Sequence, residues 1–137
     1  MHEYMSDWFV WVVDCPGLPE ELSRTRDFTR RILSGTPWAH DAALIITELA
    51  TNAITHTDSG KTTFRLNIIL TPDTLTITVT DAGGTATKPR ITHPNTTAPH
   101  GRGLALVQAL ATTLTIRGNQ HDGHAVTAER SRTSPQP

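Results

Sequence analysis

The stretch Ile45-Ile46-Thr47-Glu48-Leu49-Ala50-Thr51-Asn52-Ala53 decides how this chain is read. At ~100° and ~1.5 Å per residue, positions four apart on a helix are offset by only ~40° and ~6 Å, so Glu48 and Asn52 can reach one ligand together. With Ile45 at zero, Leu49, Ala53, Ile46 and Ala50 fill the arc up to ~140°, while Glu48 and Asn52 fall on its rim at ~300° and ~340°. A carboxylate beside a carboxamide at the edge of a buried stripe suits a binding site. It equally suits an ordinary amphipathic helix whose polar face begins there.

The surrounding chain is long enough for one hydrophobic core and too short for two ordinary domains, at 137 residues and 36% hydrophobic content. A net charge of -1 gives no general electrostatic reason to bind nucleic acid or an anionic membrane. Any anionic ligand must be held locally. Cys15 is the one cysteine and cannot form an internal disulfide. No basic segment leads into a long apolar run, so the cytoplasm is the expected compartment.

Outward from the central helix, the apolar run 8–13 suits a strand that ends in the turn Asp14-Cys15-Pro16-Gly17. Pro19-Glu20-Glu21 then starts a helix with a loose stripe of Leu22, Phe28, Ile32 and Leu33, interrupted at Gly35-Thr36-Pro37. The helix carrying Glu48 spans 38–57. After Asp58-Ser59-Gly60 the period becomes alternating: Phe64, Leu66, Ile68 and Leu70 share one face, and Leu75, Ile77 and Val79 share another. Thr71-Pro72-Asp73-Thr74 joins these strands as a hairpin, and the second ends in Asp81-Ala82-Gly83-Gly84.

Residues 85–100 hold Pro89, Pro94 and Pro99 without apolar periodicity, which predicts a long loop of the kind that serves as a lid. Gly101-Arg102-Gly103 opens a helix with Leu104, Val107, Leu110 and Ala111 on its apolar positions. Two short strands come next, around 114–117 and 125–129, with the turn region 118–123 between them. The organisation is one domain over 1–130 and a flexible tail over 131–137.

Unpaired N–H groups at a helix start carry the positive end of its dipole, so Gly101, Arg102 and Gly103 could hold phosphate oxygens. The same residues suffice merely to start a helix after a proline-containing loop. Gly60-Lys61-Thr62 does not complete a P-loop, because Thr55 stands where that motif needs its first glycine, and Gly101-x-Gly103 lacks the third glycine of a dinucleotide motif. His121-x-x-His124 has a spacing that ligates metals, but without a third ligand beside it the reading is a solvated turn. Trp8, Trp11 and Trp38 read as core or interface residues, and Cys15 as structural.

Taken in order, Glu48-Leu49-Ala50-Thr51-Asn52-Ala53 with His56, then Asp81-Ala82-Gly83, then Gly101-Arg102-Gly103-Leu104-Ala105-Leu106-Val107 resemble the N, G1 and G2 boxes of the GHKL ATPase superfamily. Within it the chain is most similar to the RsbW-like anti-sigma-factor serine kinases, over roughly residues 8–129. The resemblance implies an α+β fold: a two-layer α/β sandwich (Bergerat fold) whose mixed, mainly antiparallel sheet is covered on one face by about three helices, with a long ATP lid.

It implies ATP and Mg²⁺ as cofactors, with Asn52 as the metal ligand and Glu48 as the catalytic general base. Asp81 would accept a hydrogen bond from the adenine amino group, and Gly83 would let base and sugar pack on the backbone. Gly101, Arg102, Gly103 and Leu104 would line the phosphates, with residues 85–100 as the lid. The second G1 glycine of the family falls on Thr85, and the family's adenine-side threonine falls on Ala125, with Thr127 two residues late.

The function so implied is an anti-sigma factor with Mg²⁺-dependent serine kinase activity. Its partners would be a STAS-type anti-sigma-factor antagonist, a sigma factor, or both, with homodimerisation left open and no direct contact to nucleic acid or membrane. The alternative, prompted by Thr85 and Ala125, is a catalytically weak nucleotide-binding module that sequesters a regulatory partner. A histidine-kinase catalytic domain is disfavoured, because the chain has no dimerising helix pair bearing a phosphoacceptor histidine.

Overall fold

The computed structural model describes residues 8–56, 63–82, 102–119 and 123–131. Five strands form one sheet: β1 (Phe9–Pro16), β2 (Thr63–Leu70), β3 (Thr74–Thr80), β4 (Thr113–Asn119) and β5 (Gly123–Ser131). Their spatial order is β1-β2-β3-β5-β4. Every pairing among them is antiparallel, so among the described residues the sheet is antiparallel throughout, where the sequence suggested a mixed, mainly antiparallel one. Three helices pack against it: α1 (Leu22–Ile32), α2 (Ala39–His56) and α3 (Arg102–Leu110). The result is the α+β sandwich the resemblance implied.

Alternation sorts the strand residues by face. The register sets Leu66 opposite Val79 and Ile68 opposite Ile77, so the apolar sets of β2 and β3 lie on the same side of the sheet rather than on two. There they meet α2, whose Ala42, Ala43, Ile45, Ile46, Leu49, Ala50 and Ala53 are all buried. The opposite face carries Thr74, Thr76, Thr78 and Thr80 on β3, only half-buried. On that face Thr78 and Thr127 bond hydroxyl to hydroxyl at 2.9 Å across the β3/β5 pair.

Several elements run further than periodicity alone indicates. Strand β1 continues through the expected turn to Pro16, because Asp14 lies opposite Arg65 and accepts from its Nε at 2.8 Å, while Cys15 turns into the core. Proline is tolerated there because β1 is an edge strand. The guanidinium holds the Asp14 carboxyl below its usual range. Its small stabilising effect is therefore present above the ordinary carboxylate pKa and lost as pH falls through the lowered value.

Burial pushes the Cys15 thiol up, in keeping with a structural residue. On α1 the buried positions include Thr25 and Thr29, polar residues outside the apolar stripe. Their hydroxyls donate to the carbonyls one turn back, Glu21 and Thr25, and so enter the core satisfied. Sequence composition assigns Ser131 to the flexible tail. In the structure it closes β5, paired with Thr74 and donating its N–H to Thr112 Oγ1 at 3.0 Å.

The directions of the elements decide which residues meet at each end of the sandwich. Asp41, in the first turn of α2, is salt-bridged to Arg130, which lies opposite Leu75 near the start of β3. From that anchor, α2 rises ~16 Å to Asn52 and β3 runs ~20 Å to Asp81. At the far end, six residues link His56 to Thr63, and Arg65 already pairs with Thr80. That link reaches ~24 Å at full stretch, less than the ~27 Å length of α2, so the helix runs alongside β3 in the same sense. Asn52 and Asp81 thus arrive at the same end of the sandwich.

Among the described residues, no helix is long and apolar enough to cross a membrane. Ile77 is 1% exposed in the strand flanked by β2 and β5. Replacing it by alanine should lower the unfolding free energy by about 2–5 kcal/mol in a urea titration.

Candidate functional site

The site begins on α2. Its wheel is the one the sequence drew: residues on the arc from Ile45 to Ala50 are buried, and Glu48 and Asn52 are half-buried on the rim. Among the described residues neither side chain has a hydrogen-bond or ion-pair partner. A carboxylate and a carboxamide held half out of water without partners are suited to a ligand that brings its own donors or charge.

At the same end of the sheet, β3 leaves the ladder at Asp81. The Asp81 N–H still donates to the His124 carbonyl at 3.0 Å. The returning bond does not go to the Asp81 carbonyl: the His124 N–H donates instead to Asp81 Oδ1, also at 3.0 Å. A side-chain oxygen has taken the place of a backbone one, which fixes the carboxylate where the strand peels away. Asp81 is 7% exposed, and a carboxylate that deep persists because it is hydrogen-bonded.

Close approach is needed for that arrangement. Gly123 has φ +105°, and a Cβ on it would lie 2.3 Å from the Asp81 carbonyl oxygen. Gly118, opposite His124, is constrained likewise, since its Cβ would meet the Gly123 carbonyl at 2.1 Å. These glycines extend the β4/β5 hairpin to Asn119 and Gly123, beyond the strand limits the sequence suggested.

One expectation is corrected here. Ala125 lies opposite Thr80, and Thr127 opposite Thr78, on the open threonine face. Alternation turns both away from the face that Asp81 occupies. The residue that shares the face of Asp81 is His124, 2% exposed and part of a strand, not of a solvated turn. Counting back in twos from buried Val126 and Ala128 gives that burial, a signal present in the sequence.

Of the remaining candidates, Arg102 and Gly103 form the first residues of α3, and Leu104 is buried in the core cluster with Ala53 and Val79. Helix α3 packs on α2 and ends where Thr112 donates to the Glu129 carbonyl, at the Arg130 end of the sheet. Its first turn therefore lies ~13 Å back along its axis from that end. Gly83, Gly101, Thr85, His121 and the loop 85–100 fall outside the described residues.

A family model described as Histidine kinase-like ATPase domain matches residues 15–129. Comparison with the curated proteins gives no match.

The close approach at Gly123 can be isolated from its backbone angle. Gly35 also has positive φ, +87°, but a Cβ there meets nothing within 4 Å. Gly35→Ala should cost only the conformational penalty, on the order of 1 kcal/mol, whereas Gly123→Ala should cost at least about 2 kcal/mol in thermal or urea unfolding.

Proposed function

The chain belongs to the histidine kinase-like ATPase domain family and is a GHKL-type ATP-binding domain; on that premise we propose that it is an anti-sigma factor and a protein serine kinase that acts on a STAS-type antagonist. The observation that carries the proposal is the pair Glu48 and Asn52, half-buried, without partners among the described residues, and at the end of the sandwich where Asp81 stands.

The residues present fit ATP and Mg²⁺. Asn52 offers a neutral carboxamide oxygen, a ligand type suited to a hard cation that keeps several waters. Asp81 offers a buried carboxylate as acceptor for an exocyclic amino group, which favours adenine over guanine. The backbone N–H groups at the start of α3, with Arg102, suit phosphate oxygens. Asn52 would help hold Mg²⁺, whose positive charge would offset the negative charge that develops as the terminal phosphoryl group departs.

In this reading the Glu48 carboxylate takes the proton from the serine hydroxyl of the partner protein. The serine oxygen forms its bond to the terminal phosphorus, the bond from that phosphorus to the bridging oxygen breaks, and ADP leaves. Glu48 suits the role because its rim position leaves its side chain half-exposed while its backbone is fixed by the buried arc. A sigma factor and the antagonist would compete for the surface of the same nucleotide-loaded domain.

Glu48→Ala should lower phosphotransfer from ATP to the antagonist by ~10²–10⁴-fold while nucleotide affinity measured by calorimetry stays within about twofold. Unchanged turnover in that variant removes the role assigned to Glu48. Asn52→Ala should abolish the difference in ATP affinity between Mg²⁺ and chelator. Binding of ATP without transfer to any STAS-type protein would leave a nucleotide-gated interaction module in place of a kinase.

A further inference from the structure

His124 is buried more deeply than Asp81, and its Nδ1 makes no hydrogen bond among the described residues. Nδ1 is 3.9 Å from Asp81 Oδ2, while the backbone N–H of the same histidine already holds Oδ1 at 3.0 Å. A ring nitrogen excluded from water with no partner carries a desolvation cost, so its closeness to a carboxylate oxygen calls for an explanation. The gap exceeds hydrogen-bonding distance by about 1 Å, which a small rotation of either side chain closes.

Resting on the reading of this end of the sandwich as an adenine nucleotide site, we infer that His124 is the positioning residue for base recognition. With nucleotide bound, the ring donates its Nδ1–H to Asp81 Oδ2. One residue then grips both carboxylate oxygens, one through its backbone and one through its side chain. A carboxylate carries about four acceptor positions, of which these two bonds take two, and together they remove the rotational freedom that would blur the placement of the exocyclic amino group of the base. Only a residue that is both opposite Asp81 in the ladder and on its face can do this, and His124 meets both conditions.

The experiment compares ATP with purine riboside triphosphate, which lacks the exocyclic amino group, by calorimetry with Mg²⁺ on the full chain. Wild-type protein should prefer ATP by at least about 10-fold. His124→Leu should reduce that preference to within about threefold, and His124→Asn, whose amide nitrogen stands near the Nδ1 position, should keep it. A preference unchanged in His124→Leu overturns the inference, as does equal loss in both variants, which marks the ring as packing alone. Wild-type protein that binds neither nucleotide removes the site itself, a result distinct from either.

Nitrogen NMR of the wild-type histidine ring is independent of how the variants fold. With ATP bound, the protonated nitrogen should be Nδ1. The opposite tautomer overturns the inference.

Discussion

The packing of α2 on β3 and its neighbours is the constraint on which the rest of this molecule depends. Four alanines, Ala42, Ala43, Ala50 and Ala53, share the buried arc with Ile45, Ile46 and Leu49, all at most 4% exposed. Small side chains let the helix lie close on the sheet, and the three larger ones interdigitate with Leu66, Ile68, Ile77 and Val79 in one cluster. A helix held that closely cannot rotate about its axis without exposing the arc. Glu48 and Asn52 are therefore fixed at the rim by residues that have no part in the chemistry.

The same packing explains why so much is legible in the sequence. Three-dimensional burial on α2 follows the helical wheel position by position, and the alternation of β2 and β3 gives their buried face directly. These are local signals, written within a few residues of the positions they govern. Long-range register is not local. That the apolar sets of β2 and β3 lie on one side, that Asp14 continues a strand by meeting Arg65, and that Ser131 is held by Thr112 all depend on which strand lies opposite which.

His124 shows the limit most clearly. Its glycine-flanked, histidine-containing neighbourhood resembles a solvated turn, and on composition alone turn chemistry outweighs period. The strand in fact begins at Gly123, where positive φ and the absence of a side chain let β5 approach Asp81. Alternation then rules from the first residue onward. It also turns Ala125 and Thr127 to the open face, so the departures from family pattern at those positions do not touch the surface that faces the helices. Gly83, Gly101 and the loop 85–100 bear the remaining motif positions and lie outside the described residues. The membership in the histidine kinase-like ATPase domain family thus rests on the whole span 15–129, while the burial of Glu48, Asn52 and Asp81 is seen residue by residue.

The Asp41–Arg130 ion pair has a mechanical consequence. It fastens α2 to β5 at the end remote from Asn52 and Asp81, and makes that end a fulcrum. A tilt of one degree about such a pivot displaces Asn52 farther than Ile45, in proportion to the length of the arm. The spacing between carboxamide and carboxylate is thus more sensitive to the tilt of α2 than any spacing nearer the pivot, with no need for a bend within the helix.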